Sequence, residues 1–89
     1  MKILPTAKFE RNYKKLADSL KDKAEEALEI FKNDPADVRL RVHKLSGRFE
    51  NYWAFSVDYR CRIIFRYGKQ DEVFLVAIGN HDIYGSVAK

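Results

Sequence analysis

The feature that most constrains this chain is a change of hydrophobic period at Asn33-Asp34-Pro35. Before it, apolar residues recur at helical spacing; after it, they alternate. A helix gathers residues three and four apart on one face, whereas a strand gathers every second residue. Both patterns in succession predict an α+β domain: an N-terminal helical hairpin packed on one face of a mainly antiparallel sheet of four or five strands. Eighty-nine residues suit one such domain over 1–89, with about 60–65% of the unfolded surface buried.

The helical half reads as follows. Lys2-Ile3-Leu4 forms a short strand closed by Pro5, and Thr6 caps a helix over about 7–20 whose inner stripe is Phe9, Tyr13, Leu16 and Leu20. Asp22 caps a second helix over about 23–33, with Ala24, Ala27, Leu28 and Phe31 facing inward. Pro35 ends it, because proline disfavours a helical residue before it.

In the alternating half, Val38, Leu40 and Val42 interleave with Arg39, Arg41 and His43. Trp53, Phe55 and Val57 define a second strand; Cys61, Ile63 and Phe65 define a third, interleaved with Arg60, Arg62, Ile64 and Arg66. Gly68-Lys69-Gln70-Asp71 is a turn, and the unbroken apolar run Val73–Ile78 reads as a central strand covered on both faces. With Val38/Leu40/Val42 and Cys61/Ile63/Phe65 under the helices, Arg39/Arg41/His43 and Arg60/Arg62/Arg66 fall on the open face. A hairpin turn centred on 69–70 sets Arg62 opposite Ala77 and Arg60 opposite Gly79, with a register error of about two residues. Arg60, Arg62 and His81 then share one end of the sheet.

Charge follows the same division. Residues 38–67 hold seven Lys/Arg (Arg39, Arg41, Lys44, Arg48, Arg60, Arg62, Arg66) against Glu50 and Asp58, a balance of +5. Residues 1–37 balance at zero and residues 68–89 at −1, so the net +4 comes from the sheet strands. Six of those seven bases are arginine, whose planar fork suits phosphate. A polyanion-facing surface follows. The single Cys61 forms no internal disulfide and reads as a buried small hydrophobe in a reduced, cytoplasmic setting. No segment has the length of a membrane span. Two histidines without a cysteine pair give no metal signature, and no glycine loop cradles a phosphate.

Histidines and arginines on one basic face suit cleavage of an RNA phosphodiester by the neighbouring 2′-OH. That reaction runs without metal. It needs a base for the hydroxyl proton, an acid for the departing 5′ oxygen, and a cation for the charge gathering on the phosphate. Histidine fills either proton-transfer role and arginine the third. The bland alternatives are a solvated strand face for the arginines, a strand-surface His43, a turn-capping His81 and a tail-anchoring Tyr84. Trp53, Phe55 and Phe65 read as core, and Asp58 as a turn residue.

Four segments carry a resemblance: His43-Lys44-Leu45-Ser46-Gly47, Tyr52–Val57, Tyr59-Arg60-Cys61-Arg62-Ile63-Ile64-Phe65, and Ile78-Gly79-Asn80-His81-Asp82-Ile83-Tyr84. In that order and spacing the chain resembles the RelE/ParE toxin superfamily, and its YafQ-like mRNA interferases in particular. The resemblance implies the toxin of a prokaryotic toxin–antitoxin pair: a ribosome-dependent endoribonuclease held inactive by a cognate antitoxin protein, with no small-molecule cofactor. It also implies site residues. His81 matches the catalytic histidine after the last strand, Tyr84 the aromatic residue beyond it, His43 the histidine before Leu-x-Gly, and Arg62 the arginine opening the apolar strand. Arg39, Arg41, Lys44, Arg48, Arg60 and Arg66 become contacts to the phosphates of mRNA or ribosomal RNA. Ser56 stands where YafQ-like members often carry a histidine, and Arg60 near where they carry an aspartate. The ParE branch, which poisons DNA gyrase, lacks the catalytic histidines, so His43 and His81 argue against it. A gyrase-inhibiting toxin and an inactive basic binding module are the alternatives.

Overall fold

The computed structural model describes residues 1–87. Its elements run β1 (Lys2–Pro5), α1 (Ala7–Lys14), α2 (Asp18–Asn33), β2 (His43–Lys44), β3 (Trp53–Ser56), β4 (Arg62–Tyr67), β5 (Glu72–Gly79) and α3 (Ile83–Val87), with short 3₁₀ turns at Val38–Leu40 and Gly47–Phe49. The five strands form one sheet in the order β1-β5-β4-β3-β2. Only the β1–β5 pair is parallel. This is the expected α+β architecture. No described helix is long and apolar enough to cross a membrane.

Thr6 joins the helical and sheet halves. Its Oγ1 accepts from Phe9 N at 3.2 Å, capping α1, and donates to the Leu75 carbonyl of β5 at 2.9 Å. The helices bury Phe9, Ala24, Ala27 and Phe31 against Leu40, Phe55, Cys61, Ile63, Phe65, Val73, Leu75 and Ile78. Phe31 stacks on Phe55 with centroids 4.7 Å apart and meets Phe65 edge-on at 5.0 Å. Each such ring removed from water contributes about 1.5–3 kcal/mol, so this aromatic knot is the main anchor of the hairpin.

Four expectations are corrected. The first helix stops at Lys14 and the second starts at Asp18, with Ala17 rather than Asp22 at its N-cap. No glycine or proline marks the break, and Leu16 and Leu20 still pack on the core, so spacing alone reads through it. Asn12 commits its side-chain oxygen to Ile78 N of β5 at 3.2 Å, tying the end of α1 to the sheet.

Second, 38–42 is not a strand. Asp37 caps a 3₁₀ turn by accepting Arg39 N at 2.9 Å, and Arg41 adopts φ 52°, which ends any extended run. Leu40 enters the core, but Val38 is 87% exposed. Arg39 and Arg41 therefore leave the strand that was to carry them to the open face.

Third, the β4–β5 register places Arg62 opposite Gly79, not Ala77, and Arg60 lies outside the paired strand. Pairing runs Tyr67↔Val73 to Phe65↔Leu75, then skips to Ile64↔Ala77. The skipped Val76 is a bulge, and Val76 and Ala77 consequently pack on the same side of the sheet. Fourth, the face opposite the hairpin is not fully open. α3 covers part of it through Ile83, which packs with Ile64 and Ala77.

Candidate active-site cleft on the second sheet face

Sheet register assembles the site. His43 pairs with Ala54, Ala54 with Ile64 and Ile64 with Ala77, so one row crosses β2 to β5. α3 lies over that row. Gly79 permits its approach: a Cβ there would lie 2.6 Å from Ile83 Cγ2. Asn80 starts the turn into α3, with its side-chain oxygen accepting Asp82 N at 2.9 Å and its carbonyl accepting Ile83 N at 3.1 Å. His81 and Tyr84 project from this turn and from α3, with ring centroids 5.5 Å apart.

His43, Lys44, Leu45, Ser46, Phe49, His81 and Tyr84 line one open cleft of about 420 Å³. Segments nearly forty residues apart in sequence thus bring both histidines, the tyrosine and one lysine together. Both imidazoles are exposed, and Tyr84 is half-buried. His43 Nδ1 lies 3.0 Å from the Arg41 carbonyl. A carbonyl only accepts, so the neutral ring carries its hydrogen on Nδ1 and leaves the Nε2 lone pair free as a base. The left-handed Arg41 that ended the expected strand therefore orients His43.

The remaining cations are distributed differently. Arg62 lies on the same face as Ile64, at the end of β4 beside Gly79. Its Nη1 donates to the Asp58 carbonyl at 2.5 Å and the Cys61 carbonyl at 3.3 Å, and it does not line the cleft. The Asp58 carboxyl shapes that turn. Burial pushes its pKa up, but hydrogen bonds from Cys61 N and Arg60 N prevail and hold it below the ordinary value. Arg60 bonds to the Tyr59 hydroxyl and lines a separate groove of about 540 Å³ with Lys15, Asn12 and Asn80. That groove is larger but is lined by no histidine, whereas the smaller cleft is lined by both. Arg66 stacks over Phe74 at 4.3 Å. Arg39 makes a two-pronged contact with Asp37, at 3.0 and 2.9 Å, which holds the Asp37 carboxyl down to about 2. Arg41 lines a third groove with Val38 and Tyr67. Ser56 pairs with Arg62 across β3–β4 and is not in the cleft.

Phe49 is the cleft residue that sequence reasoning missed. It meets Tyr84 edge-on, with centroids 5.7 Å apart and planes at 77°. Its signal was an aromatic residue beside Gly47-Arg48 in a loop between basic strands.

Residues 3–83 match the family model described as the ParE toxin of type II toxin-antitoxin systems, parDE. The chain belongs to this toxin family. No curated protein matches it. Among solved structures, the YoeB/ParE toxin from Agrobacterium tumefaciens is similar over 91% of this chain and 99% of that one, at 19% identity and TM-score 0.75. YafQ from E. coli strain BL21(DE3) aligns over 92% and 94% of the two chains, at 15% identity and TM-score 0.76. The E. coli DinJ-YafQ toxin-antitoxin complex contains a chain similar at 15% identity and TM-score 0.73, over 91% and 92%. At these identities the likeness is one of fold. The RelE/ParE assignment and the RelE-like architecture both stand.

Proposed function

We propose that this toxin is a metal-independent endoribonuclease that cuts mRNA on the ribosome and is held inactive by a cognate antitoxin. The observation that carries the reading is the convergence of His43, His81, Tyr84 and Lys44 on one cleft. His43 Nε2 removes the 2′-OH proton. The 2′ oxygen attacks phosphorus, the bond to the 5′ oxygen breaks, and His81 in its protonated form delivers a proton to that leaving oxygen. The products are a 2′,3′-cyclic phosphate and a 5′-OH. Lys44 meets the charge on the phosphate oxygens, whereas Arg62, which does not line the cleft and is held by two carbonyls, stays outside this role. Tyr84 sets the pose of the nucleotide. Arg48 and Arg66 stay exposed near this face as contacts to the RNA, whereas Arg39 is occupied by Asp37.

The test is cleavage of mRNA on programmed ribosomes by wild type and His81→Gln. The variant should lose roughly 10²- to 10⁴-fold in rate. Its stability should stay within about 0.5 kcal/mol, because His81 is exposed. A substrate with a 2′-deoxy sugar at the cleavage site should resist wild type. Cleavage of that substrate, or full activity of a folded His81→Gln, would overturn the reading. The family model itself favours a second reading, a ParE-like toxin acting on gyrase. Intact mRNA with accumulating DNA breaks after induction is its expected signature.

A further inference from the structure

The loop between β2 and β3 carries a side-chain pair that the proton-transfer chemistry leaves unused. The Arg48 guanidinium lies over the Phe49 ring, with Cζ 5.8 Å from its centroid. Phe49 in turn lines the cleft and abuts Tyr84. The loop that presents them is pinned. Leu45 N donates to the Tyr52 carbonyl at 2.9 Å, Tyr52 N to the Phe49 carbonyl at 3.0 Å, and Phe49 N to the Ser46 carbonyl at 3.2 Å. Gly47 at φ 64° and Asn51 at φ 82° make the tight path.

Arg48 is uncommitted, as are Arg41 and Arg66, and of these three it is the one whose aromatic partner lines the histidine cleft. Arg39 is held by Asp37, Arg60 by Tyr59 and Arg62 by two carbonyls. The Arg48 side chain is exposed, and the contact that its guanidinium makes is with the Phe49 ring. An exposed fork over an aromatic ring, beside a cleft that already contains Lys44 for phosphate, has the form of a base reader. Single-stranded RNA is read by bases splayed onto aromatic and guanidinium planes. Two parallel N–H donors match the O6 and N7 acceptors of guanine. Adenine and cytosine each place an amino donor in that position, and uracil offers only O4.

We propose that Arg48 and Phe49 form a subsite that reads a guanine next to the bond being cut; the inference rests on the nuclease reading above. Two measurements test it. The first maps fragment ends from programmed ribosomes for wild type, Arg48→Ala, Arg48→Lys and Phe49→Leu. Wild type should cut guanine-flanked sites roughly ten-fold or more above the same sites carrying adenine. Arg48→Ala should lower cutting at guanine sites more than at the other three bases, levelling them. Arg48→Lys should not restore the preference, because an ammonium makes no two-pronged contact. Equal cutting at all four bases by wild type would overturn the subsite. So would a uniform fall across all bases in Arg48→Ala, which marks a phosphate contact.

The second measurement is fluorescence anisotropy with labelled deoxy-pentanucleotides that differ only at the central base and cannot be cleaved through a 2′-OH. Tighter binding of the guanine oligonucleotide, lost in Arg48→Ala, supports the subsite even if ribosome assays show no cutting and the nuclease reading fails. Binding without base preference overturns it.

Discussion

The two faces of the sheet are built from the same strands by opposite choices. On the hairpin face, Phe31, Phe55, Phe65, Leu40 and Ile63 are almost wholly excluded from solvent. Among the described residues, the buried cluster on the α3 face is Ile64, Ala77 and Ile83, and its edge opens into the histidine cleft. Strand alternation gives every second side chain to each face, so one sheet serves both. The hairpin face gains stability from large rings. The α3 face uses small residues, Ala54, Ala77 and Gly79, which leave space for a short helix and a polar rim. A thin domain has one core's worth of apolar material, and here nearly all of it lies on one side.

That contrast can be broken at its strongest point first. Phe31→Ala removes the ring that stacks on Phe55 and Phe65, and should destabilise the fold by about 3–5 kcal/mol, read from denaturant midpoints. A loss under about 1 kcal/mol would mean that the hairpin face is not the anchor described here. Next, Gly79→Ala drives a methyl group into Ile83 and should cost about 1–3 kcal/mol. It should also lower toxin activity by more than its stability loss explains, because α3 carries Tyr84 and the turn that leads into it carries His81. Unchanged activity would separate α3 from the site. The smallest effect concerns Cys61, on the hairpin face. Burial, aided by the Asp58 charge, pushes its thiol up to about 11. A raised folded pKa means that its contribution is complete below the unfolded value of about 9 and is lost as pH rises through about 11. Wild type should therefore lose stability between pH 8 and 10.5 relative to Cys61→Ala, by chemical denaturation at both values. Parallel curves would show the thiol to be solvated.

Much of the hairpin face was legible in sequence, since alternation at Cys61, Ile63 and Phe65 and helical spacing at Ala24, Ala27 and Phe31 both survive in the fold. His43 and His81 were named together through the family resemblance, whereas the turn position grouped His81 with Arg60 and Arg62, which do not line the cleft. What escaped depended on side chains overriding pattern. Val38–Val42 alternates like a strand, yet Asp37 accepts Arg39 N and winds the segment into a turn. Arg39 and Arg41 were misplaced for that reason alone. α3 escaped because five residues carry too little periodicity, and because its seat is prepared by Gly79 on another element. Phe49 escaped because its place in the cleft is set by a loop closure that no local period reports.

The bulge at Val76 has a wider consequence. A strand with one residue out of step behaves like a text with one letter inserted: everything downstream is read in a different phase. Ile78 faces the helices, and Gly79 lies beneath α3, only because Val76 was counted twice on one side. Deleting that single residue would close the bulge and leave Ala77, Ile78 and Gly79 on the faces they now hold, whereas ironing the bulge out with Val76 retained would turn the last stretch of β5 over and deliver the histidine turn to the wrong side of the molecule.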